Sequence, residues 1–129
     1  MTAGRSRTGA SRAGNTVEKA QNMLEKIRDL AENYYRRMVE LRRYFHARPE
    51  TAFEEIETSK KIKAELSLLK IKSSSHAKTG VLGVLQGTKE KPVCALRSDI
   101  DALPIHEKTG LPFRSKNNGR MHACGHDMH

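Results

Sequence analysis

The sequence has no tryptophan and only three tyrosines and three phenylalanines in 129 residues. So few flat rings leave little for bases to stack on. The basic excess behind the net charge of +9 is also spread out, with 15 basic against 10 acidic residues up to residue 70 and 9 against 5 beyond it. Nucleic-acid binders gather their cations on one face and interleave aromatics, so nucleic acid is not the expected partner. Cysteine is scarce as well. Cys94 and Cys124 cannot build a disulfide framework, and they fit a reducing compartment or a metal role, which makes a cytoplasmic location the expectation. No run approaches the ~18 apolar residues of a membrane span, and the opening MTAGRSRTGASRAGN is basic without the apolar stretch of a signal peptide. Also missing are a G-x-S-x-G elbow, a phosphate-binding Walker loop, an H-E-x-x-H helix and a C-x-x-C pair.

What is present divides the chain. After Met1, residues 2–14 hold Gly, Ala, Ser, Thr and Arg with no large apolar group to offset the entropy of ordering, and residues 1–14 are expected to be a disordered basic tail. Asn15 with Glu18 has the form of a helix-start capping pair. Beyond it Val17, Ala20, Leu24, Ile27, Ala31, Tyr34, Met38, Leu41 and Phe45 recur in steps of three and four, a helical stripe read as core and ended by Pro49. Such a stripe also suits a coiled coil, so a helical interaction module is an alternative reading. Residues 51–69 continue the helical period, acidic first and basic last. A Ser-rich turn at Ser73 to Ser75 then precedes two apolar runs, GVLGVLQG and KPVCALRSD, which are expected to be strands with Cys94 as a small core residue. From Ala102 to Arg120 the two prolines, two glycines and two asparagines predict loop with a small hairpin. The fold class is α/β, long helices followed by strands of a mixed sheet.

The chemistry concentrates at the end of the chain, in MHACGHDMH. Cys124 and His126 are one residue apart across Gly125, and a zinc ion takes thiolate and imidazole together if the glycine lets the backbone turn. Two ligands do not hold a metal alone, and the plain alternative is a buried thiol beside a surface histidine. His122, Asp127 and His129 add further ligand or supporting atoms. A second group is ALRSDIDALP, where Asp99 and Asp101, two apart on an extended segment, share one side. They are placed to face a cavity at the strand's carboxyl end, or else to cap a turn before Pro104. His46 stands at a helix end, where complementing the dipole is its ordinary use, and His76 and His106 lie in loops with no visible constellation.

LRRYFHARPETAFEE, GVLGVLQG, ALRSDIDALPIHEKTGLPF and GRMHACGHDMH occur in the order and at the spacings of the M20 peptidase-like amidohydrolases, and most resemble the branch of N-acyl-amino-acid, hippurate and auxin-conjugate hydrolases. The resemblance spans residues 38 to 129. It implies a zinc-peptidase-like α/β catalytic domain, present in its amino-terminal part over residues 15–129, with the family's smaller lid domain absent. It implies a hydrolase that cleaves the amide bond of N-acyl amino acids with two divalent ions per complete site, drawn from Zn, Mn, Co or Ni. Residue by residue, it makes Cys124 and His126 metal ligands and Asp101 the catalytic-motif aspartate that orients the metal site. Asp99, His122 and Asp127 become supporting positions around them. The family's general-base glutamate and remaining ligands come from segments beyond this motif, so the resemblance implies a chain inactive by itself, taken from a longer parent that pairs through its lid domain. A stand-alone metal-binding module without catalysis is the other alternative.

Overall fold

The computed structural model describes residues 9–89 and 91–129, with side chains described from residue 15. Helix α1 runs Gly9–His46, α2 Ile56–Leu68, and strands β1 Lys72–His76 and β2 Gly80–Val84 form an antiparallel hairpin, followed by a long irregular stretch and a 3-10 turn at His126–Met128. The part of α1 up to Val39 makes one compact unit and Glu40–His129 the other.

In the first unit the helix begins six residues before Asn15, so the capping pair does not mark its start. The part of the expected tail before residue 9 lies outside the described residues. The stripe read as core is not core here. Val17, Leu24, Ile27, Tyr34 and Met38 are between 54 % and 64 % exposed, because no described residue covers that face. In the second unit the stripe does engage: Leu41 and Phe45 are half-buried, and the last turn of α1 delivers His46 and Ala47 into the interior.

The second helix starts at Ile56, later than the periodic pattern that opens at Thr51. Phe53 has a positive φ of 64° and Thr51 bridges to Ala102, so residues 51–54 form a turn and the helix cannot include them. Its own cap residue, Glu55, makes no side-chain cap bond and instead accepts the Thr79 hydroxyl at 2.6 Å in the interior. Glu50 caps from a distance. Its carboxylate accepts the free N–H groups of Glu57 at 3.1 Å and Thr58 at 2.8 Å, the donors a helix leaves unsatisfied in its first turn. At the other end the N–H of Ile71 reaches Leu66 O at 2.8 Å and that of Lys70 reaches Ser67 O at 2.9 Å, with Lys70 left-handed where glycine is usual.

One strand expectation succeeds, the other fails, and an expected turn proves to be strand. β2 coincides with the first half of GVLGVLQG. Ser73 to Ser75, expected as a turn, are strand instead, because pairing of Ser73 with Gly83 and of Ser75 with Val81 outweighs the poor strand preference of serine. The turn falls at Ala77 to Thr79, and Gly80 follows because a Cβ there would meet the His76 carbonyl oxygen at 2.8 Å. KPVCALRSD forms no strand. Val93 and Leu96 are 84 % and 97 % exposed and Cys94 is exposed too, since a strand needs a neighbour and none lies beside it among the described residues. The α/β class therefore holds, whereas the described sheet is a two-stranded antiparallel hairpin and not a mixed one.

The interior of the second unit is polar. Beside Ala47, Pro49 and Ala102 it buries His46, Glu55, Thr58, Ser59, Thr79, His122 and Asp127. At its centre His46 Nδ1 donates to Asp127 Oδ2 at 2.7 Å while His46 Nε2 donates to Glu107 Oε1 at 3.1 Å. Arg42 Nε stands 2.9 Å from the same Asp127 oxygen, an ion pair whose N–H is not aligned for a hydrogen bond. Phe113 closes the group, edge-on to His46 at 5.5 Å, with the guanidinium groups of Arg42 and Arg43 each 5.1 Å from its ring centre. His46 is thus a tie between three segments. Burial pushes the Glu107 carboxyl up, but hydrogen bonds from the Ser115 N–H, the Thr109 hydroxyl and His46, together with the attraction of the His46 ring, outweigh it and hold Glu107 down at about 2.

Two outcomes follow. Glu50→Ala should lower the unfolding free energy by about 1–2 kcal/mol, the usual value of a lost helix cap, in urea titrations followed by circular dichroism. A carboxylate held below its ordinary value of 4.5 contributes stability that is full above that pH and is lost as pH falls toward about 2. The urea midpoint should therefore fall between pH 5 and 2.5, and should fall less steeply in Glu107→Gln. Equal slopes for the two proteins would remove Glu107 from the account.

Candidate metal centre

Ala102 and Leu103 organise the site. The Ala102 N–H donates to Glu50 O at 2.7 Å, and Leu103 exchanges both backbone bonds with Met121, each at 3.0 Å. These bonds set the segment that carries Asp99 and Asp101 beside the one that carries His122, Cys124 and His126. Between Cys124 and His126, Gly125 takes φ +93°, a conformation that only glycine adopts without strain, and the chain turns there into the short 3-10 helix.

That turn directs His126 at Asp101. Its Nδ1 lies 3.0 Å from Asp101 Oδ1 and 3.0 Å from the Asp101 carbonyl oxygen. Two acceptors on one side of the ring place a proton on Nδ1, and in a neutral imidazole that arrangement leaves the lone pair on Nε2, the form in which the ring binds a cation. His126, Asp99 and His129 each offer a ligand atom within 4.8 Å of the others. Asp99 also pairs with Arg97 at 2.9 Å, and the His129 ring lies 5.2 Å from that of His126. A set of two imidazoles and a carboxylate suits Zn, Co, Ni or Mn, so these residues fit a divalent ion.

Of the sequence-derived candidates, His126, Asp101 and Asp99 come together here. Cys124 does not: it is exposed and outside the group. His129, named in the sequence only as a further histidine of the motif, is inside it. His122 is 5 % exposed with no hydrogen-bond partner at either ring nitrogen, and Asp127 Oδ1 is likewise unpartnered. Burial, the largest influence, pushes the His122 imidazole below its ordinary value, against the opposing pull of Asp127. Asp127 adjoins His126 in the chain and spends its other oxygen on His46 and Arg42. The residue that sequence reasoning undervalued is His46. Its signal was available only in combination, because the motifs holding His46 and Asp127 stand 81 residues apart.

Residues 95–129 match the model of peptidase family M20/M25/M40. The chain is 48 % identical over 98 residues to an N-acetylcysteine deacetylase of Bacillus subtilis, covering 74 % of this chain and 26 % of that protein. It is 53 % identical over 93 residues to the IAA-amino acid hydrolase ILR1-like 2 of Arabidopsis thaliana, covering 71 % and 21 %. Among solved structures it superposes on the YXEP protein of Bacillus subtilis, described as a dinuclear metal-binding peptidase, with a TM-score of 0.70 and 47 % identity over 74 % of this chain and 28 % of that one. The chain spans about a quarter of the length of these relatives. Motif order and backbone agree, and over the matched residues this chain is similar to members of the M20 peptidase family, corresponding to one portion of their α/β catalytic domain.

Proposed function

We propose that this chain supplies part of the divalent-metal site of an amidohydrolase that cleaves the amide bond of N-acyl amino acids. The observation that carries the reading is His126, its Nδ1 tied to Asp101 and a ligand atom of its ring grouped with those of Asp99 and His129. The two curated relatives differ in acyl group and amino acid, yet both names describe an acyl group joined to an amino acid, which supports the substrate class and not one member of it. The reading includes a cytoplasmic location. No helix among the described residues is long and apolar enough to cross a membrane.

In this reading His126, Asp99 and His129 hold an ion, and Cys124 supplies a further ligand from the same motif. Bound divalent ions would polarise the amide carbonyl and lower the pKa of a water. Asp101 keeps the His126 ring in one tautomer and one orientation, and Asp127, anchored by His46 and Arg42, holds the turn on which His126 sits. Hydrolysis also needs a base within hydrogen-bond reach of the attacking water. Asp101 is committed to His126 and Asp99 to Arg97, so the 129 residues alone are proposed to bind metal and not to turn over substrate.

Metal titration calorimetry on the 129-residue chain tests this with Zn²⁺ and Mn²⁺ in turn. His126→Ala should abolish measurable binding, and Asp101→Asn should weaken it by roughly 10- to 100-fold, the usual effect of losing the group that orients a ligand. Cys124→Ser should reduce bound metal while Cys94→Ser leaves it unchanged, because an alcohol does not ionise beside a cation as a thiol does. Unchanged binding in His126→Ala would sink the assignment. Metal-dependent release of benzoate from hippurate by these 129 residues would overturn the division between binding and turnover.

A further inference from the structure

The loop from His106 to Arg120 is firmly held yet encloses empty space. The Lys116 N–H donates to Ala47 O at 3.0 Å, the Asn117 amide donates to Pro49 O at 2.8 Å, and the Ser115 N–H donates to Glu107 Oε2 at 2.5 Å. Within it lies a cavity of about 450 Å³, inside the range of small-molecule sites. Gly110 and Gly119 line it with φ of +71° and +74°, and a Cβ at either would meet nothing within 4 Å.

Its walls carry four permanent cations, Lys108, Arg114, Lys116 and Arg120, against one acid, Glu107. Arg120 is already paired with Glu54 at 2.7 Å. Glu107 has turned its oxygens to His46, Thr109 and Ser115, so it is committed to the interior. Among the described residues Lys108, Arg114 and Lys116 have no ion pair and no side-chain hydrogen bond. Asn118 accepts from His106 Nδ1 at 2.9 Å through its oxygen, which leaves its amide hydrogens as free neutral donors on the same wall.

Three unmatched cations around one concavity repel each other, and an anion with several charged oxygens relieves that repulsion while meeting the fork of the guanidinium. A single carboxylate offers too little charge. A nucleic-acid strand would need a ring to stack on, and the lining has no Phe, Tyr or Trp. We propose that this cavity binds the phosphate group of a small phosphate-bearing molecule, at a site separate from the Asp99, His126 and His129 group, none of which lines it.

Inorganic pyrophosphate is the probe, titrated into the ¹⁵N-labelled 129-residue chain in low-salt buffer treated to remove divalent metal. Amide shifts should move at residues 106–120 and leave residues 99 and 126–129 in place, with a Kd on the order of 1 mM or tighter. Replacing Lys108, Arg114 and Lys116 together by alanine should weaken binding at least tenfold. The same loss of charge at Lys70, Lys72 and Lys91 should change it less than twofold. Amide spectra of both variants report whether the fold is kept, and the shift map of the unsubstituted chain decides the matter if the cavity variant unfolds. Equal weakening by the distant triple would mean diffuse attraction and overturn the site. Citrate binding as tightly as pyrophosphate would overturn phosphate as the group recognised, and shifts confined to residues 126–129 would overturn the location. Because metal is absent throughout, none of these outcomes bears on the metal-centre reading.

Discussion

The second unit depends on one imidazole held between two carboxylates. His46 ends α1, Glu107 lies in the loop beyond Pro104, and Asp127 lies in the 3-10 turn beside His126, and the ring touches both acids at hydrogen-bond distance inside a covered interior. Three segments far apart in sequence thereby share one side chain. The arrangement is stabilising only while every member is present, since removing one partner of a buried ionic group costs about 3–5 kcal/mol by leaving another uncompensated. Few apolar groups could substitute for it. Ala47, Pro49 and Ala102 are the buried apolar residues beside it, so the interior gets its specificity from directional bonds more than from area.

From that tie the candidate metal centre follows by short steps. Asp127 fixes the turn, Gly125 permits it, and His126 is left aimed at Asp101, whose position is set by the backbone bonds of Ala102 and Leu103. Each link is a hydrogen bond of fixed direction. The ring that would face a metal is oriented by groups that never need to touch the ion, as ligand histidines generally are.

The same unit leaves much apolar surface uncovered. Leu85, Val93 and Leu96 are 80 % or more exposed. Contiguous exposed apolar residues of this kind mark surfaces that a further element or partner covers. The site loops order without that cover because they are held by hydrogen bonds within the 129 residues. The apolar run 91–99 does not, because a strand's backbone groups need a neighbour to pair with.

Some of this was legible in residue order. The helical period of α1, the GVLGV strand and the loop character of 102–120 are local, resting on spacing and residue type within a few positions. Four motifs in register also carried the resemblance to the M20 family. The start of α2 was not legible, because Phe53 takes a left-handed conformation only through the contact of Thr51 with Ala102. Nor was the strand at Ser73 to Ser75, whose serines pair because β2 lies opposite. His46 looked like a helix-end residue completing a dipole. Tertiary structure made it a tie between distant segments instead, because which side chains meet is decided by long-range backbone bonds across tens of residues, and no periodicity within either segment records them.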